Sequence, residues 1–131
     1  MKAETPEWVA KVEGDFADAQ RGVRVRKNPN YDGACFHCQQ CIEKYLKGRL
    51  IEAGIKFPRI HDLSRLLDLL VPLEPAWELW RPDLEVLTDY AVMFRYPGET
   101  ATRAQAKEAF AICRRLRDPL RESLSLRTGK L

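Results

Sequence analysis

Apolar residues recur along this chain at intervals of three and four, the spacing that lines one face of a helix. Trp8, Val9, Val12, Phe16, Ala19 and Val23 share a face in the first segment. That segment opens on Thr5-Pro6-Glu7, a capping residue followed by proline at the first helical position. Asn28-Pro29-Asn30 interrupts the pattern, and Asp32 is placed to cap a second helix running to about Ala53, before Gly54. A short third helix begins at His61-Asp62-Leu63, with His61 or Asp62 as its cap, and Pro72 and Pro75 end it. Ala76 to Trp80 is read as a brief helical turn. Pro82 then marks the start of a fourth helix that turns Leu84, Leu87, Ala91 and Phe94 inward. Pro97-Gly98 stops it. Thr100 or Thr102 caps a fifth helix with the stripe Ala106, Ala109, Phe110, Cys113 and Leu116, and Pro119 is expected to end or kink it. No segment carries the alternation of a strand. Short loops predict antiparallel neighbours, so the expected fold is all-α, an up-and-down bundle of four to five helices.

The chain has 131 residues and a formal charge of +3. That length suits one domain, residues 1–131, with its core at about 5–122 and a flexible tail over 125–131. The charge is far below that of a dedicated nucleic-acid binder. No apolar run approaches membrane-spanning length and no leader pattern opens the chain, so a cytoplasmic protein is expected.

Cys35, Cys38 and Cys41 form a C-x2-C-x2-C run with His37 inside it, which invites a metal or cluster reading. A fourth ligand would have to be His37 or the distant Cys113, and no Gly or Pro bends the backbone around an ion. At helical phase the same cysteines join Ala34, Ile42, Tyr45 and Leu46 on one stripe, where a thiol packs as a small apolar group. Packing is the main expectation, with metal and redox roles as the alternatives. Reduced core thiols also suit a cytosolic chain.

The other side of this helix presents Phe36, Gln40, Glu43 and Lys47, with His37 on the flank near Lys44. A phenylalanine on a polar face suggests a partner, although a lone exposed aromatic is common. Arg21, Arg24, Arg26 and Lys27 crowd the end of the first helix, where cations complement the helix dipole or bind an anion. Trp77, Trp80 and Tyr90 suit either core or interface.

Three stretches in order carry a family resemblance. Tyr31-Asp32-Gly33-Ala34-Cys35-Phe36-His37-Cys38-Gln39-Gln40-Cys41-Ile42-Glu43-Lys44-Tyr45-Leu46-Lys47, then Ile60-His61-Asp62-Leu63, then Leu87-Thr88-Asp89-Tyr90 with Arg95-Tyr96-Pro97, together resemble the HEPN (higher eukaryotes and prokaryotes nucleotide-binding) domain. The resemblance runs from about residue 5 to residue 122, with cysteine at 38 and 41 where the family usually has alanine. It implies a helical bundle, usually a homodimer, often encoded beside a small nucleotidyltransferase in two-component or toxin–antitoxin modules.

Some members of that family are metal-independent ribonucleases with an Arg-x4–6-His motif at the start of the last helix. There, arginine holds phosphate and histidine moves protons for attack by the RNA 2′-hydroxyl. Here Arg95 is followed by Thr100, Ala101 and Thr102, and no histidine occurs after His61. The expectation is therefore a nucleotide-binding or interaction module with no catalytic residue, no metal and no cofactor. The alternative is an endoribonuclease or toxin with a departed motif. Arg95, Tyr96, His61 and Lys44 are the candidates for binding nucleotide or phosphate. Phe36, His37, Gln40, Glu43 and Lys47 are the candidates for a dimer interface.

Overall fold

The structure, a computed structural model, describes residues 5–126. Five α-helices and one 3-10 turn make up its regular elements, with no strand among the described residues. They are α1 (Thr5–Arg24), α2 (Tyr31–Glu52), α3 (Leu63–Leu70), the turn Pro75–Trp80, α4 (Arg81–Met93) and α5 (Arg103–Ser123). The bundle architecture read from the apolar spacing is the one observed. No helix among the described residues is long and apolar enough to cross a membrane.

α2 is the central element. α1 packs antiparallel along it, from Gly22 against Ala34 at one end to Trp8 beside Lys44 and Gly48 at the other. A Cβ on Gly22 would lie 2.9 Å from the Ala34 Cβ, so glycine permits the approach. α5 runs parallel to α2, from Ala101 N–H donating to Asp32 at its start to Arg121 donating to the Tyr45 hydroxyl near its end. α4 returns antiparallel to α5, tied by Tyr90 to Glu108 and Arg115 to Asp83. One sequential pair breaks the alternation. The loop between α2 and α3 doubles back along α2, so α3 begins beside Gln39 and Glu43 and runs the same way as α2, with Glu74 beyond it reaching Arg49.

Two local expectations need correcting, the cap of α2 and the end of α5, and two that offered alternatives are narrowed to one residue each. Asn30 caps α2, its side chain accepting from Gly33 N–H at 2.9 Å, while Asp32 is used on the α5 side. Asp62 caps α3 and His61 does not. Thr102 caps α5 in a full capping box with Gln105. Pro119 does not end α5, which continues to Ser123. Proline removes one hydrogen bond there, but Leu116, Leu120 and Leu124 are buried around it, and Arg117 and Arg121 both bond to Glu13. The capping role expected of Thr5 and most of the tail at 125–131 lie outside the described side chains and residues.

Candidate functional site

Gln39, Glu43 and Lys47 stand one turn apart on α2 and form a buried polar ladder. Lys47 Nζ donates to Glu43 Oε2 at 3.1 Å, and Gln39 Nε2 donates to Glu43 Oε1 at 2.9 Å and to the His61 carbonyl at 3.1 Å. Gln40 Nε2 donates in turn to the Gln39 side-chain oxygen at 2.8 Å. The loop that doubles back over α2 covers this stripe, and Lys47 lies 5.8 Å from the Phe57 ring centre. Glu43 is 4% exposed and Lys47 8%. Two of the five residues expected to face a partner are thus interior, because an intramolecular loop occupies that side. Phe36 remains 38% exposed and Gln40 is half-buried.

The ladder ends in a carboxylate–histidine pair. His61 Nδ1 lies 3.0 and 3.2 Å from the two Glu43 oxygens, while its side chain is 68% exposed. A buried carboxylate at that distance favours the tautomer with hydrogen on Nδ1. Nε2 is then the basic nitrogen, on a ring open to solvent. Such a pair can exchange a proton with a ligand.

On the other flank of α2, one carboxylate collects both remaining candidates. His37 Nδ1 is 2.9 Å from Asp15 Oδ1, and Lys44 Nζ donates to Asp15 Oδ2 at 2.5 Å. Lys44 is therefore spent on an α1–α2 contact rather than free for phosphate. No hydrogen bond or ion pair among the described residues joins His61 and Lys44 to each other, or either one to Arg95 or Tyr96.

Arg95 and Tyr96 follow α4 in an exposed turn that closes at Gly98, whose φ of +91° suits glycine. Tyr96 is 63% exposed. Arg95 has no side-chain partner among the described residues, so its guanidinium can take a phosphate beside an available ring. Across the turn, Thr102 Oγ1 accepts from Gln105 N–H at 3.1 Å, and Gln105 Oε1 accepts from Thr102 N–H at 2.9 Å. Of the two hydroxyls in the expected histidine window, that of Thr102 is committed to the helix cap.

All four cysteines are free and buried. Burial pushes the Cys35 thiol up to about 12, with the neighbouring Cys38, Asp32 and Glu108 charges adding to it. Cys113 is pushed above the ordinary thiol range by hydrogen bonding to Cys38 and Cys41 and by burial. A protonated thiol is a poor ligand and nucleophile. Among the described residues no group of three or more His, Cys, Asp or Glu is arranged to hold a metal ion.

One surface was absent from the candidates. Between the end of α1 and the outer face of α5 lies a groove of about 670 Å³, with Arg24, Arg26, Arg103, Lys107 and Arg114 around Val23 and Phe110. Its sequence signal is the 103–107–110–114 spacing, which puts Arg, Lys, Phe and Arg on one helical face.

A family model described as the HEPN domain matches residues 5–123. A protein of Methanocaldococcus jannaschii named "Putative toxin MJ1304" is 31% identical over 96 residues, covering 69% of this chain and 61% of the relative. The match thus spans less than two thirds of that protein's length. No solved structure matches.

Proposed function

The chain belongs to the HEPN domain family, and from that premise we propose that it is the ligand-binding half of a two-component, toxin–antitoxin-like pair. It works as a homodimer with a small nucleotidyltransferase and holds a nucleotide or RNA by its phosphates without cutting it. The observation that carries this reading is the turn between α4 and α5. Arg95 stands there exposed beside Tyr96 with no side-chain partner among the described residues, as a phosphate and base contact would. The positions that would need a proton-transferring side chain hold Thr100, Ala101 and Thr102, and the Thr102 hydroxyl is engaged in the capping box. A guanidinium without a partnering acid–base group binds phosphate but does not move the 2′-hydroxyl proton. The toxin name of the archaeal relative supports placing the chain in such a pair.

Incubating the purified protein with labelled RNA tests this. The expected result is retention of intact RNA. Cleavage by the wild type that disappears on Arg95→Ala would overturn the non-catalytic reading.

A second reading, a ribonuclease with a relocated acid–base group, is favoured by one observation: the exposed His61 ring held by buried Glu43. Cleavage that survives Arg95→Ala but is lost in His61→Ala would establish it.

A further inference from the structure

The groove beside α5 is not explained by the turn at Arg95. Five of its cations, Arg24, Arg26, Arg103, Lys107 and Arg114, have no ion pair or side-chain hydrogen bond among the described residues. Arg115, also on its lining, is paired with Asp83, and the lining's acid, Asp118, is beside Arg117. Five unpaired cations and a single acid among the described residues make this lining positive, on a chain whose net charge is only +3. Cations converging from two elements repel one another in the free protein, and a bound polyanion relieves that repulsion.

The arrangement has a direction. Arg103, Lys107 and Arg114 follow one face of α5 over roughly 17 Å at the helical rise per residue. Arg24 and Arg26 form the facing wall at the end of α1. The floor is apolar: Val23 and Phe110 line it, and Phe110 is half-buried with its ring centre 5.5 Å from that of Phe16. Nearly all the free cations are arginines, whose planar guanidinium pairs with phosphate in a bidentate manner.

The geometry points to a binding track for a single-stranded phosphodiester chain in this groove, with phosphates on the arginine walls and a base against Phe110. This rests on the phosphate-binding reading above only in its choice of ligand chemistry, and adds a site that reading does not use. A mononucleotide presents one compact phosphate group and would engage only part of a run this long. A duplex is read by elements that enter its grooves or follow its shape, and this surface is concave.

The experiment is fluorescence anisotropy with short labelled oligouridylate and oligothymidylate, with uridine monophosphate and inorganic polyphosphate as competitors. The wild type is expected to bind one or both strands, which identifies the source of the backbone, and uridine monophosphate to compete poorly. The double variant Lys107→Gln/Arg114→Gln alters exposed side chains, and its fold is checked by circular dichroism. It should bind on the order of tenfold more weakly, with a log–log salt slope shallower by roughly 1.4. Phe110→Leu should weaken strand binding while leaving inorganic polyphosphate unaffected. In an Arg95→Ala background, which removes the phosphate contact at the α4–α5 turn, Lys107→Gln/Arg114→Gln should still weaken strand binding by about the same factor.

Unchanged strand binding in a folded Lys107→Gln/Arg114→Gln protein would overturn the proposal. Should Arg95→Ala alone abolish strand binding, the groove falls and the α4–α5 turn stands. If an acidic amphipathic Glu/Leu peptide binds in the groove and the strands do not, the surface is a protein-docking site and the proposal fails.

Discussion

Glu43 shows why a residue's type and helical phase do not settle its role. It looks like a surface acid on a polar face, yet it accepts from Gln39, Lys47 and His61 in the interior. Removing one partner of a buried pair costs more than the pair contributes, because the other charge is left uncompensated. Glu43→Gln should therefore destabilise the fold by about 3 kcal/mol, measured by urea unfolding. Adding Lys47→Met should recover much of that loss, since the orphaned cation goes with it. Cys35 gives a second prediction at this scale. Its thiol is held near 12 in the folded chain against an ordinary 9.0, so unfolded chains lose that proton first. The stabilising effect of the neutral thiol is full below about 9.0 and is lost as pH rises toward 12. Thermal melts across that window should show an alkaline decline that Cys35→Ala reduces. At neutral pH the four thiols should resist an aromatic disulfide reagent until denaturant is added.

Between elements, close approach decides more than propensity. Gly22 lies in the last turn of α1, where alanine would ordinarily gain up to about 1 kcal/mol. Here the added methyl would meet Ala34 at 2.9 Å, so Gly22→Ala should instead cost roughly 1–3 kcal/mol. Gly22→Ala/Ala34→Gly should be more stable than Gly22→Ala alone, and paired melts would check this. The cap of α5 is simpler: Thr102→Ala loses a side-chain acceptor and should cost about 1 kcal/mol in the same assay. Helix existence was legible throughout, because each buried stripe repeats at helical spacing. Which residue caps was less so. Asn30 and Asp32 are both good capping types near the start of α2, and only the position of Ala101 N–H shows why Asp32 is drawn away.

At the scale of the whole molecule, the proposed dimer is tested at the exposed side of α2. Phe36 is the candidate from the expected interface that stays exposed as a large apolar side chain, so Phe36→Glu is the informative change. Sedimentation should show the wild type as a dimer and the variant as a monomer, and a monomeric wild type would refute the dimer. Of the candidate binding residues, the exposed position of Arg95 and Tyr96 was legible from sequence because they follow α4 and precede the Pro97-Gly98 stop. Lys44 could not be excluded that way, since its neutralising Asp15 lies on another helix. The groove cations were half legible. Arg24 and Arg26 were noticed at the end of α1, but their convergence with Arg103, Lys107 and Arg114 depends on how α1 packs against α5.

The amino-acid sequence by itself determined the helices, their buried stripes, the packing role of the cysteines and the family. The first three follow from spacing along one chain, where residues three and four apart share a face whatever surrounds them, and the family follows from three motifs in order. Tertiary structure alone decided that α3 runs beside α2 in the same direction and that Glu43 and Lys47 are interior. It also decided that His61 receives a buried carboxylate and that six cations, five of them without an ion pair among the described residues, line one groove. Each of these depends on which distant segment covers a given face. Loop paths and helix packing determine that, and local periodicity carries no record of them.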